Sequence, residues 1–144
     1  MQKISIMIID DDSTDRYLLK RIIKKSNFSC ETFEAENGQE ALDFLTNYEQ
    51  NKLKYESDFP PILIFLDINM HIMGGFEFLE NFSSLREGTE KYQTSVFTML
   101  TSSERKDDID RAHSYDFVKG FITKSGFTLD KFNEIVQTHC AKYI

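Results

Sequence analysis

At 144 residues, with 17 Lys and Arg against 24 Asp and Glu and a formal net charge of -7, the chain has room for one domain with a full core and none for an appended effector module. The acidic balance argues against nucleic acid or a membrane surface as the main partner, and favours a protein or a small anionic group held through a metal. Cys30 and Cys140 fit no CxxC or Cys/His spacing and read as free thiols. The only apolar stretch near the start, residues 4–9, runs straight into three aspartates, unlike a signal peptide or membrane span, so the expected location is the cytoplasm.

Residues 3–9 form the first strand, which empties into Asp10-Asp11-Asp12. A helix follows, with Ser13 or Thr14 as its cap and Tyr17, Leu18, Ile22 and Ile23 at helical spacing. Arg16, Lys20, Arg21, Lys24 and Lys25 make its solvated face. A weaker strand over 30–35 reaches the turn signal Asn37-Gly38, after which Ala41, Leu42 and Leu45 face inward from a second helix. Residues 47–58 are polar and read as a loop or frayed helix end, stopped by Phe59-Pro60-Pro61.

The apolar run 62–66 is then a buried central strand, ending at Asp67. Past a loop that closes with Gly74-Gly75, the residues Phe76, Phe78, Leu79, Phe82 and Leu85 mark a third amphipathic helix. Residues 95–100 give a fourth strand, 103–115 a charged helix and 117–123 a fifth strand, and Leu129, Phe132, Ile135 and Val136 lie on a last helix. Alternation of this kind predicts an α/β fold: a flavodoxin-like, doubly wound, five-stranded parallel sheet of order 2-1-3-4-5 with five helices, residues 1–144 forming one domain.

In that order strands one and three are neighbours, and Asp10, Asp11 and Asp67 meet at the carboxyl rim, where open α/β sheets bind ligands. Clustered carboxylates repel unless a hard divalent cation neutralises them, and Mg²⁺ prefers such oxygens. Strands four and five end in Thr101 and Lys124, which add a hydroxyl and an ammonium to the same rim. His71, His113 and His139 lack metal-ligand spacing.

This set of five separated residues resembles the receiver domain of two-component response regulators, and the likeness spans nearly the whole chain. Residues 122–131, with Lys124-Ser125 where most members have Lys-Pro, are similar to the single-domain receivers associated with bacterial phytochromes. The resemblance implies Asp67 as phosphoacceptor, Asp11 as a direct Mg²⁺ ligand, Asp10 as a ligand directly or through water, and the Asn69 carbonyl as the remaining protein ligand. It further implies that Thr101 and Lys124 contact the phosphoryl oxygens and that Phe121 is an aromatic switch residue moving with Thr101. A sensor histidine kinase or histidine phosphotransfer protein would supply the phosphoryl group, and a downstream protein would read the surface of the fourth helix, fifth strand and last helix.

Four positions depart from the family. His71 stands in place of a proline and loosens the loop after Asp67. Ser125 replaces a proline that is commonly preceded by a cis bond, so a trans bond and a differently aimed Lys124 are expected. Asp12 is an extra acid, and Gly74 replaces a frequent polar residue. Two other functions compete: a small haloacid-dehalogenase-type phosphatase, with Asp10 as nucleophile and Asp12 as general acid, and a receiver that acts by contact alone. The first leaves Asp67 idle, and the second leaves the intact acidic set unexplained. Phe117, Phe127 and Tyr143 are candidates either for an apolar homodimer surface or for core.

Overall fold

The computed structural model describes residues 3–144. Five strands, β1 (Ile4–Ile9), β2 (Cys30–Ala35), β3 (Leu63–Leu66), β4 (Val96–Thr101) and β5 (Val118–Thr123), form one sheet of order β2-β1-β3-β4-β5, parallel at every pairing. The expected topology is present. Every residue of β1 and β3 is buried, as a parallel sheet covered on both faces requires, whereas the edge strand β2 is mostly half-buried.

Strand alternation divides the core in two. Met7, Ile9, Ile64, Leu66, Phe97 and Met99 face one side, where they pack with α2 (Gly38–Thr46) and α4 (Gly75–Glu87). Ile6, Ile8, Leu63, Phe65 and Leu100 face the other, against α1 (Ser13–Lys25) and α6 (Leu129–His139). Phe117 is 4% exposed, with its ring 5.4 Å from Phe82 and 5.3 Å from Phe97, so it belongs to the core and not to a dimer surface. Phe127 and Tyr143 are partly buried against the second core.

The helices number six among the described residues, one more than expected. The addition is α3 (Tyr48–Tyr55), followed by a 3-10 turn over Glu56–Asp58, in the segment whose polarity suggested a loop. Tertiary contacts stabilise it. Asn51 Nδ2 donates to the Phe44 carbonyl at 2.6 Å, the Tyr48 ring lies 5.3 Å from Phe59, and the Tyr55 ring lies 4.9 Å from Phe33. An amphipathic stripe is thus replaced by two aromatic anchors, which a periodicity search does not detect.

Helix starts also differ from expectation. The cap of α1 is Asp12, not Ser13 or Thr14: its carboxylate accepts the N–H of Asp15 at 3.0 Å. Asn37 caps α2 in the same way, through the N–H of Glu40 at 2.9 Å. Helix α5 (Lys106–His113) begins three residues later than the sequence suggests, because the Ser103 hydroxyl donates to Asp108 at 2.6 Å and holds the approach outside the helix.

Candidate functional site

Register places the acids. Ile9 pairs with Leu66, so the next residues, Asp10 and Asp67, leave β1 and β3 side by side, and the Asp67 N–H donates to the Ile9 carbonyl at 3.0 Å. Asp10 is 4% and Asp67 7% exposed, while Asp11 is open to solvent; one oxygen from each of the three lies within 4.8 Å of the others. Consecutive aspartates therefore have different fates. Asp10 turns inward, Asp11 faces the rim, and Asp12 is tied up as a helix cap.

Lys124, at the end of β5, reaches across the rim. Its Nζ lies 2.8 Å from Asp10 Oδ2, 3.0 Å from Asp67 Oδ2 and 2.7 Å from Asp15 Oδ2. The only cis peptide bond among the described residues is Phe59–Pro60, so the bond before Ser125 is trans as expected, yet the ammonium arrives on Asp67 all the same. Burial works to lower its pKa, but the hydrogen bonds to Asp10, Asp15 and Asp67 outweigh that and hold it above the usual ammonium range. Burial pushes the Asp10 carboxyl up, aided by the charge of Asp67 and opposed by Lys124 and by the N–H of Asp12.

The other Asp67 oxygen, Oδ1, accepts the N–H of Ile68 at 2.7 Å. Thr101, 1% exposed, ends β4 at the same rim, paired with Thr123, the residue before Lys124, and its Oγ1 accepts the Ser103 N–H at 3.4 Å. Asn69 lies two residues past Asp67 on the exposed loop. Phe121 pairs with Met99 and is half-buried, between a core position and an outward one.

Two residues near the site escape the sequence reading. Asp15 is not among the expected site residues, although its place four residues after Asp11, in the first turn of α1, is a signal that points to the rim. Arg16, expected on a solvated helix face, has only 12% of its side chain exposed. Its Nη1 donates to the Asp10 backbone carbonyl at 2.6 Å and its Nε to Glu34 at 3.1 Å, bracing the turn that carries the acids. Burial would raise the Glu34 carboxyl; Lys20 and Arg16 outweigh it and bring it below the ordinary carboxylate value. His71 stays exposed as expected, with Nδ1 3.6 Å from Asp11 Oδ2.

The loop after Asp67 holds one strained residue. Ile72 has φ of 68° and is 76% exposed, a backbone region that a β-branched side chain rarely enters. Ile72→Asn is expected to raise stability by about 1 kcal/mol, because asparagine tolerates this conformation and little apolar contact is lost. Urea denaturation checks it; a drop in stability would mean that Ile72 makes contacts worth more than its strain.

The donor set suits a hard divalent cation, with three carboxylates converging and two of them buried beside a single ammonium. The family model of the response regulator receiver domain matches residues 6–137. This chain belongs to that family. A receiver fold is also what the solved structures share with it. A two-component response regulator from Cytophaga hutchinsonii is 25% identical, with a TM-score of 0.80 over 97% of this chain and 99% of that one. The phosphorylated cyanobacterial phytochrome response regulator RcpA is 27% identical, with a TM-score of 0.68 over 94% of this receiver and 90% of its own chain. The chemotaxis protein CheY4 of Vibrio cholerae is 20% identical, with a TM-score of 0.70 over 95% and 98%. Comparison with curated proteins by sequence finds no match. No helix among the described residues is long and apolar enough to cross a membrane.

Proposed function

We propose that this receiver accepts a phosphoryl group on Asp67 from a histidine kinase or histidine phosphotransfer protein, with Mg²⁺ as cofactor, and passes the signal on through a protein-binding surface. The observation that carries this is the setting of Asp67: it is buried among carboxylates that fit a divalent cation, with Oδ2 on the Lys124 ammonium. The phosphorylated state of RcpA supports the same role here.

In the transfer, an Asp67 carboxylate oxygen forms the new bond to phosphorus as the bond from phosphorus to the donor imidazole nitrogen breaks. The imidazole leaves with its electron pair and takes up a proton. Mg²⁺, held by Asp11, Asp10, Asp67 and the Asn69 carbonyl, would supply charge neutralisation between the carboxylates and the phosphoryl oxygens. Lys124 pairs with one phosphoryl oxygen and Thr101 donates its hydroxyl to another, drawing β4 toward the group. Phe121, half-buried on the neighbouring strand, moves into the space that Thr101 vacates, which changes the face formed by α5, β5 and α6. The chain's own chemistry is limited to gaining and losing this group.

The phosphatase assignment has less support, because Asp12 caps α1 and is turned away from the role of general acid. Incubation with phosphoramidate and Mg²⁺, followed by borohydride trapping and mass spectrometry, tests the proposal. A single adduct on Asp67, absent in Asp67→Asn, is the expected result. An adduct on Asp10, or Asp10-dependent turnover of phosphomonoesters, would overturn it.

A further inference from the structure

The Lys124 ammonium has three acceptor carboxylates around it: it donates to Asp15 and Asp67 at 2.7 and 3.0 Å, and it forms an ion pair with Asp10 at 2.8 Å. Two of these acceptors belong to the acidic cluster that fits a divalent cation; the third does not. Asp10 and Asp67 are therefore wanted by two cations at once. Their side chains are 6% and 8% exposed, so neither can turn to solvent to serve both.

Asp15 is placed differently. It sits on the first turn of α1 with 35% of its side chain exposed, and its backbone N–H is already satisfied by the Asp12 carboxylate. Favourable interaction with the helix N-terminus would account for an acid here, but not for the shortest of the three contacts to Lys124.

We propose that Asp15 is a positioning residue: it is the carboxylate on which Lys124 rests when a divalent cation fills the cluster of Asp10, Asp11 and Asp67. This deepens the phosphoacceptor assignment of the same site and rests on it for its purpose, since Lys124 must stay within reach of Asp67 while giving up oxygens to the metal. With Asp15 present, Lys124 keeps one full-charge partner outside the cluster. Without it, the carboxylates left to Lys124 among the described residues are those the cation needs, and the two positive charges compete directly.

Isothermal titration of Mg²⁺ into the full chain tests this, using wild type, Asp15→Asn, Lys124→Met and the double variant. Asp15→Asn is expected to weaken Mg²⁺ on the order of five-fold, as loss of one nearby compensating charge would. Lys124→Met is expected to tighten it. In the Lys124→Met background the further change to Asn at position 15 should fall below about two-fold, the mark of an effect transmitted through Lys124. An equal loss in both backgrounds, or no loss in Asp15→Asn, overturns the proposal.

A second measurement avoids any need for Lys124→Met to fold. The ¹⁵N ammonium signal of Lys124, slowed in exchange by its partners, should survive Mg²⁺ saturation in wild type and vanish in Asp15→Asn; its loss in wild type would sink the idea. Phosphoramidate labelling of the same samples separates the two levels. Asp67 labelled while Asp15→Asn binds Mg²⁺ like wild type refutes the role of Asp15 alone. Weakened Mg²⁺ in Asp15→Asn with no label on Asp67 refutes the phosphoacceptor assignment alone.

Discussion

Gly75→Ala should lower the stability of the receiver by about 3 kcal/mol and slow labelling of Asp67 in the molecules that remain folded. A Cβ at Gly75 would fall on the carbonyl oxygen of Asp67, with the Cα of Ile68 at 3.0 Å and the carbonyl carbon of Asp67 at 3.1 Å. These neighbours are backbone and cannot swing aside. The contact is also pinned, because the Gly75 N–H donates to the Ile68 carbonyl at 2.8 Å. Relief must come from one of two movements. Either α4 lifts, disturbing the buried Phe76, Phe78, Leu79 and Phe82, or the loop gives and carries Asp67 away from Lys124. Gly88, where an added methyl would meet only open space, is the control; Gly88→Ala should be close to neutral in the same urea titration. Equal effects at the two glycines would show that the close approach to Asp67 does not set the loss, since alanine is the better helix former and propensity alone would raise stability.

The sheet order was legible because strands buried on both faces must be continuously apolar, and residues 4–9 and 62–66 have no other reading that also ends both in aspartate. Asp10, Asp11, Asp67, Thr101 and Lys124 followed from that order, and the structure brings Lys124 onto Asp10 and Asp67 directly. What escaped depends on side-chain reach across elements. Helix α3 is fixed by Tyr48, Asn51 and Tyr55 against residues outside it, and no local pattern encodes that. Arg16 sits among basic residues whose spacing marks a solvated face, yet its length lets it fold back onto the Asp10 carbonyl. Three adjacent aspartates invited treatment as one group. Only the backbone path through the turn assigns one to burial, one to the rim and one to the helix cap. For Ser125 the expected trans bond holds, and Lys124 reaches Asp67 with it, held among three carboxylates.

Lys124→Ala carries the other large expectation: a loss of about 3 kcal/mol at neutral pH, most of it returned by Mg²⁺. Removing the ammonium leaves the carboxylates of Asp10 and Asp67, 6% and 8% exposed, facing each other without a counter-charge. Breaking a buried ion pair from one side costs more than the pair contributed, because the remaining charges stay desolvated. The pH dependence has a definite sign. Asp10 is already raised above its ordinary 3.8 in the folded protein, and loss of Lys124 removes an interaction that lowers it, so the variant's folded state holds this proton to still higher pH. A raised carboxyl favours folding below its folded value and opposes it above, so acidification from pH 7 should narrow the gap between variant and wild type. Lys124 itself, held above its ordinary 10.5, contributes its stability throughout the neutral range and loses it only on strongly alkaline titration. Urea denaturation at pH 7 and pH 5, each with and without Mg²⁺, checks all of this. A deficit unchanged across the four conditions would trace the loss to packing of the lysine's aliphatic stem, and the charge balance at the rim would no longer explain why Lys124 stands there.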